Sequence, residues 1–259
     1  MRIADVGAAT DRTAIVKGGY TNYGQLVGVL MLDTIFPRIP GDIGNAYSFD
    51  FPVRYKIVRG AAATSIMGDA PAEALLPLFI AAARELEAEG VRCITTSCGF
   101  LGPFQRELAA SVRIPVFTTA LMQAPLIHAM LPPGQIIGVF TERAAHMNRG
   151  HFESVGWSPD AIPVQVCGMA DDATFPATFI IGRDSVDPEI LRAEMLAMTR
   201  TFMETCPNPG AILFECTNFC PFSADVAALS GLPVFDINTL VNTVHAALRP
   251  PVHRSPYLR

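Results

Sequence analysis

No run of lysine or arginine and no basic stripe occurs in this chain, whose formal net charge is −5. That balance argues against a nucleic-acid surface. No apolar run approaches the roughly eighteen residues that a membrane span needs. The opening MRIADVGAATDRTAIVKGG lacks the basic-then-apolar order of a secretory leader. Six cysteines in 259 residues are too sparse for a disulfide scaffold; the expected compartment is the cytoplasm, where thiols stay reduced. Neither a GxGxxG fingerprint nor a phosphate-binding P-loop is present, so no nucleotide cofactor is expected. Histidine is scarce, five in all. None adjoins the cysteine motifs described next, so a Ser-His-Asp or Cys-His nucleophilic site is poorly supported. Charged residues make up 17% of the chain and hydrophobic ones 50%, which indicates a globular protein. Its length suits two units of about 120 residues, each with its own core.

What the chain does contain is a repeat. Residues 94–117 read ITTSCGFLGPFQRELAASVRIPVF, and residues 212–235 read ILFECTNFCPFSADVAALSGLPVF. Superposed at the 118-residue separation of Cys98 and Cys216, they match at nine positions without a gap. Cys98 falls on Cys216, Pro103 on Pro221, Phe104 on Phe222, and the closing Pro-Val-Phe on its copy. Unrelated segments of this length would share roughly one or two positions. A doubled gene is the simplest cause. It would bring one thiol from each half to a single cleft.

Short β-rich runs alternate with helical patterns, the signature of parallel α/β architecture. Strands are predicted at 26–32, 55–58, 91–96 and 116–118 in the first half. The series repeats at 135–140, 162–166, 211–214 and 234–236. Helices are predicted at 72–89, 104–111, 119–130, 143–155, 188–205, 222–229 and 238–248. Gly28-Val29 and Gly138-Val139 fall in the two leading strands, 110 residues apart. The expected fold is therefore α/β, with two pseudo-symmetric parallel-sheet domains and a cleft between them. The first comprises 1–118 plus 237–259, the second 119–236. Segment 33–52, rich in Pro and Gly, is a lid or binding loop, or else an ordered loop bracing a dimer. Segment 167–187 also breaks the rhythm, though its FPATFII suggests packing. The tail 249–259 reads as a loose end.

Each motif cysteine follows an apolar strand and precedes a helix, where ligands of parallel sheets bind. Pro103 and Pro221 suit a first helical turn. The helix N-terminus favours a substrate carboxylate and also thiolate over thiol. Ser97, Gly99, Thr217 and Asn218 flank the thiols as small or hydrogen-bonding groups. Thr118 and Thr119 follow the strand beside Cys98, and either reach the cleft or cap a helix. Asn45 and Arg38, in the long loop, are candidates for a distal substrate group. Other readings stand beside this one. Both cysteines could be buried core residues, or Cys93, Cys98, Cys216 and Cys220 could hold zinc. Against zinc, Cys93 lies in a predicted strand and its counterpart is Ala211; no metal is expected. Cys167 and Cys206 read as structural.

At TTSCGF and FECTNF the chain resembles the aspartate/glutamate racemase superfamily, over about residues 24–248. The resemblance implies cofactor-independent racemisation, with Cys98 and Cys216 as opposed acid/base groups and Thr217 holding a substrate carboxylate. Two departures stand out. Gly99 and Phe100 occupy the places where glutamate racemases usually carry Asn-Thr. Asn218 stands where those enzymes have histidine and aspartate racemases glutamate, so assistance to the second thiol must come from elsewhere. Hydantoin racemases, maleate isomerases and arylmalonate decarboxylases share the scaffold, and Cys98 counts against the last. The expectation is a cytoplasmic amino-acid racemase acting on a small carboxylate-bearing substrate. Maleate isomerisation, hydantoin racemisation and carboxylate binding without turnover are the alternatives. A positive mean hydropathy adds the expectation of a homodimer.

Overall fold

The computed structural model describes residues 18–66 and 72–251. Segments 1–17 and 252–259, on which most of the leader and tail readings fall, lie outside the described residues. The first half forms β1 (Val27–Leu32), β2 (Val53–Val58), β3 (Cys93–Thr96) and β4 (Val116–Phe117). The second forms β5 (Ile136–Thr141), β6 (Val164–Gly168), β7 (Pro209–Phe214) and β8 (Val234–Phe235). These make two four-stranded sheets, in the orders β2-β1-β3-β4 and β6-β5-β7-β8. Every pairing is parallel. The chain is α/β, as its alternating pattern predicts.

The repeat extends to individual strand partners. Val27 pairs with Cys93, and 110 and 118 residues later Ile137 pairs with Ala211. Ile94 opposite Val116 becomes Ile212 opposite Val234. Leading strands β1 and β5 are almost wholly buried apolar runs, as strands covered on both faces must be. Each carries a glycine that admits its outer helix. A Cβ at Gly28 would stand 3.0 Å from Leu86 on the helix Leu76–Ala88. One at Gly138 would stand 2.6 Å from the Phe202 ring on the helix Pro188–Thr205.

Between the sheets, Val27, Val29 and Cys93 share one apolar core with Ile137, Val139, Ala211 and Leu213. Two further clusters pack the outer faces, one around Phe79, Leu86 and Leu108, the other around Phe140, Phe202 and Phe214. The final helix, Ile237–Leu248, begins at an Asp236–Thr239 capping box. Its Asn238 Nδ2 donates to Gly41 O at 2.7 Å, and its His245 stacks on Phe51 with ring centroids 3.5 Å apart. It is thereby tied to the long loop of the first half. The helix predicted at 143–155 is broken. A 3-10 turn, Ala144–His146, stops at Met147, and Asn148 restarts a helix at Arg149 by accepting the Gly150 N–H. Segment 167–187 contains the helix Thr174–Phe179, which buries Phe175 and Phe179. No helix among the described residues is long and apolar enough to cross a membrane.

Candidate active site

Beyond the ends of β3 and β7 the backbone turns straight into 3-10 helices, Gly99–Phe104 and Thr217–Phe222. Cys98 and Cys216 are the extended N-cap residues of these helices. An N-cap side chain normally accepts an N–H from the first turn. Here neither sulfur accepts such a bond, although the Phe100 and Asn218 N–H groups still favour the two thiolates. The motifs also touch each other. Thr217 Oγ1 donates to Ser97 O at 2.7 Å, and a Cβ at Gly99 would overlap the Glu215 carbonyl and carboxyl oxygens. Glycine at 99 lets the two halves meet this closely.

The two thiols, 8% and 7% exposed, line one narrow cavity that opens to solvent, about 330 Å³ with its open mouth included. Ser97, Gly99, Thr217 and Asn218 line it too, so the structure brings these flanking residues together with the cysteines. Thr118, Thr119 and Asn45 lie elsewhere. Thr118 donates its hydroxyl and its N–H to Gln105 Oε1, both at 2.9 Å. Thr119 caps the 3-10 turn Ala120–Gln123. Asn45 caps the turn Ala46–Ser48 and donates to Arg38 O at 2.7 Å. Arg38 is engaged as well, with Asp42 at 2.7 Å, Thr34 at 3.2 Å and the face of Phe36 at 4.5 Å. Asp42 in turn accepts from Asn218 Nδ2 at 2.7 Å. That bond turns the amide so that Asn218 Oδ1 stands 3.7 Å from Cys216 Sγ. Cys93 Sγ faces Leu26 O at 3.9 Å, on β3.

Two carboxyl groups that the motif reading passed over complete the lining. Glu142, just past β5, and Glu215, between β7 and Cys216, are 2% and 1% exposed. Glu215 Oε2 accepts from Thr141 Oγ1 at 2.7 Å, and the Glu142 carboxyl lies close enough to the Cys216 thiol to act on its ionisation. Burial, and then the charge of Glu215, pushes Glu142 up to about 8. Burial raises Glu215 to about 7 against the Thr141 hydrogen bond. Both thiols are also raised. Burial leads for each; Glu215 adds most for Cys98, and Glu142 then Glu215 for Cys216. The preference for thiolate expected from the helix ends is therefore reversed, because the N–H groups are outweighed by burial and two carboxylates.

Comparing the halves would have found both acids. At the motif offset Glu215 falls on Ser97, and at the leading-strand offset Glu142 falls on Leu32. The backbone is equivalent at these points: Ser97 N–H donates to Leu30 O, and Glu215 N–H to Phe140 O. The side chains are not. Ser97 Oγ accepts the Leu32 N–H at 3.0 Å, where the second half sets two acids around its thiol. The assistance that Asn218 cannot give to Cys216 is at hand in Glu142.

No protein-family model matches the chain. Among solved structures it is similar to an unliganded arylmalonate decarboxylase, with TM-score 0.56 and 16% identity, covering 90% of this chain and 97% of that one. A glutamate racemase from Bacillus anthracis gives 0.57 at 11% identity, covering 87% and 83%. An aspartate racemase from Picrophilus torridus gives 0.56 at 11%, covering 87% and 94%. These likenesses bear out the aspartate/glutamate racemase superfamily as the fold. Curated sequences are more similar. Dimethylsulfoniopropionate lyase 7 of Emiliania huxleyi is 35% identical over 230 residues, 86% of this chain and 67% of that protein. The dimethylsulfoniopropionate lyase of Durusdinium sp. clade D is 30% identical over 81% of this chain and 70% of its own length. The chain belongs to the dimethylsulfoniopropionate lyase family. Its relatives are enzymes, and lyases. The expectation of an amino-acid racemase, with its isomerase and binding-module alternatives, is corrected by these matches. The racemase motifs mark the scaffold, and the sequence relatives carry a different reaction class on it.

Proposed function

We propose that this protein is itself a dimethylsulfoniopropionate lyase. The observation that carries the reading is the 35% identity to lyase 7 across 86% of the chain. The chemistry is a β-elimination. A base removes a proton from the carbon beside the carboxylate, the electron pair forms the C=C bond, and the C–S bond breaks. Dimethyl sulfide, acrylate and one proton result, and charge balances.

Cys216 is the base in this reading, and Glu142 takes the thiol proton that must leave for Cys216 to act. Asn218, turned by Asp42, orients the thiol without touching substrate. Ser97 Oγ accepts the Leu32 N–H, and its hydroxyl proton, with no acceptor among the described residues, is available to the substrate carboxylate. The N–H groups that open the two 3-10 helices, at Gly99 and Thr217, add to this anion site. Cys98, kept protonated, donates to the carboxylate as negative charge grows there. The asymmetry between the halves supports this reading, because elimination needs one base and one departure path.

The test is to incubate purified protein with dimethylsulfoniopropionate, following dimethyl sulfide in the headspace and acrylate by proton NMR. Release well above the uncatalysed rate is expected. Cys216→Ala should lower kcat by about 10³-fold or more, as loss of a general base does. No release from wild-type protein that is folded by circular dichroism would refute the reading.

A further inference from the structure

Two buried acids in one cavity are costly to ionise unless a cation joins them, and the lining contains none. Neither lysine nor arginine is among the lining residues. Glu142 Oε1 and Glu215 Oε1 are buried without a hydrogen-bond partner among the described residues. Two orphaned carboxyl oxygens in one cavity are costly unless a ligand completes them. Arg38 and Arg143 stand nearby, but neither hydrogen-bonds either carboxyl among the described residues. Arg38 is held by Asp42 and Thr34, and Arg143 lies outside the lining. The remaining wall is apolar, with Phe36, Phe100 and Phe179, each less than one-tenth exposed, beside Leu32 and Ala63. Phe36 and Phe179 meet edge to face at 4.9 Å. The Arg38 guanidinium lies over the Phe36 ring, 4.5 Å from its centre.

The geometry points to an onium subsite: Glu142 and Glu215, walled by Phe36, Phe100 and Phe179, hold a compact methylated cation such as a dimethylsulfonio or trimethylammonio group. Rings and carboxylates together form the kind of cage that recognises such ions. The subsite rests on the lyase reading only in naming the sulfonium as its natural occupant; its chemistry follows from the cavity. It also accounts for the raised thiols. A bound cation offsets both carboxylates and lowers the cost of forming a thiolate beside them.

Two unreactive probes of nearly equal shape separate charge from size: 3-(trimethylammonio)propionate and the neutral-headed 4,4-dimethylpentanoate. Titration calorimetry on the wild type should show the first binding about 30-fold more tightly, the scale of a desolvated cation–aromatic contact. Glu142→Gln and Glu215→Gln should each reduce that ratio about tenfold while leaving the neutral probe bound. Retained binding of the neutral probe also shows that the variants fold. Equal affinity for both probes, or no binding of either at millimolar concentration, overturns the subsite. Lysis of dimethylsulfoniopropionate with equal probe affinities would leave the lyase reading standing and the subsite wrong. Selective binding of the cation without lysis would do the reverse.

Discussion

Replacing Glu142 by glutamine changes one proton and almost no volume, and its consequences run in opposite directions for stability and turnover. In the unfolded chain this carboxyl titrates near 4.5; folded, it is raised to about 8. Between those values the folded state keeps a proton that the unfolded state has lost. Its contribution to stability is therefore full below 4.5 and is lost as pH rises through about 8. Glu142→Gln should raise the melting temperature by about 3–6 °C at pH 8.5 and much less at pH 5.5, by differential scanning fluorimetry. Turnover needs the opposite ionisation, because Glu142 must be a carboxylate to accept the Cys216 proton. Wild-type kcat/KM should rise through a limb near pH 8, and that limb should vanish in the variant. A variant that keeps the limb would remove Glu142 from the proton path.

The loop between β1 and β2 shows what an element without periodicity can do. Its middle is cross-linked by side-chain bonds: Arg38 to Asp42, Asn45 to Arg38 O, and Gly41 N–H to Ser48 Oγ. It then reaches the second half, where Gly41, at φ +102°, lies against Pro221 and a Cβ would come within 2.7 Å of the proline Cα. Asp42→Ala removes the partner of a mostly buried guanidinium and releases Asn218. It should cost about 2–4 kcal/mol in urea unfolding and lower kcat about tenfold with a smaller change in KM. A KM effect alone would make the loop a binding lid rather than a thiol-positioning brace. The sequence marks 33–52 as special through Pro and Gly. It could not show that Asp42 works on Asn218, because that partner is 176 residues away. The strands were legible for the opposite reason: their signal is local, a run of β-branched apolar residues between helices. The paired cysteines were legible because they repeat. Glu142 and Glu215 do not stand out singly, since a charged residue at a strand end ordinarily reads as the start of a solvated loop; only their mismatch with Leu32 and Ser97 marks them.

Across the whole molecule, a doubled fold has been given an undoubled site. Strand order, register and the N-cap placement of each thiol repeat between the halves. The groups around the thiols do not, with Leu32 and Ser97 on one side answering Glu142 and Glu215 on the other. Racemisation asks for comparable acid/base groups on both faces of a carbon, so a symmetric scaffold suits it. Elimination takes a proton from one face only, and the second face is free for binding. This difference can be read from the products. Dimethylsulfoniopropionate carrying a single deuterium of defined configuration beside its carboxylate offers one labelled and one unlabelled hydrogen to the site. With Cys216 as the sole base, one configuration should yield acrylate that has lost its deuterium and the other acrylate that has kept it, by mass spectrometry. Cys98→Ala should slow the reaction without altering that outcome, since Cys98 contributes a hydrogen bond and not the abstraction. Deuterium retained in part from both configurations would mean that either thiol can act as base. The pseudo-symmetry of the backbone would then extend to the chemistry after all.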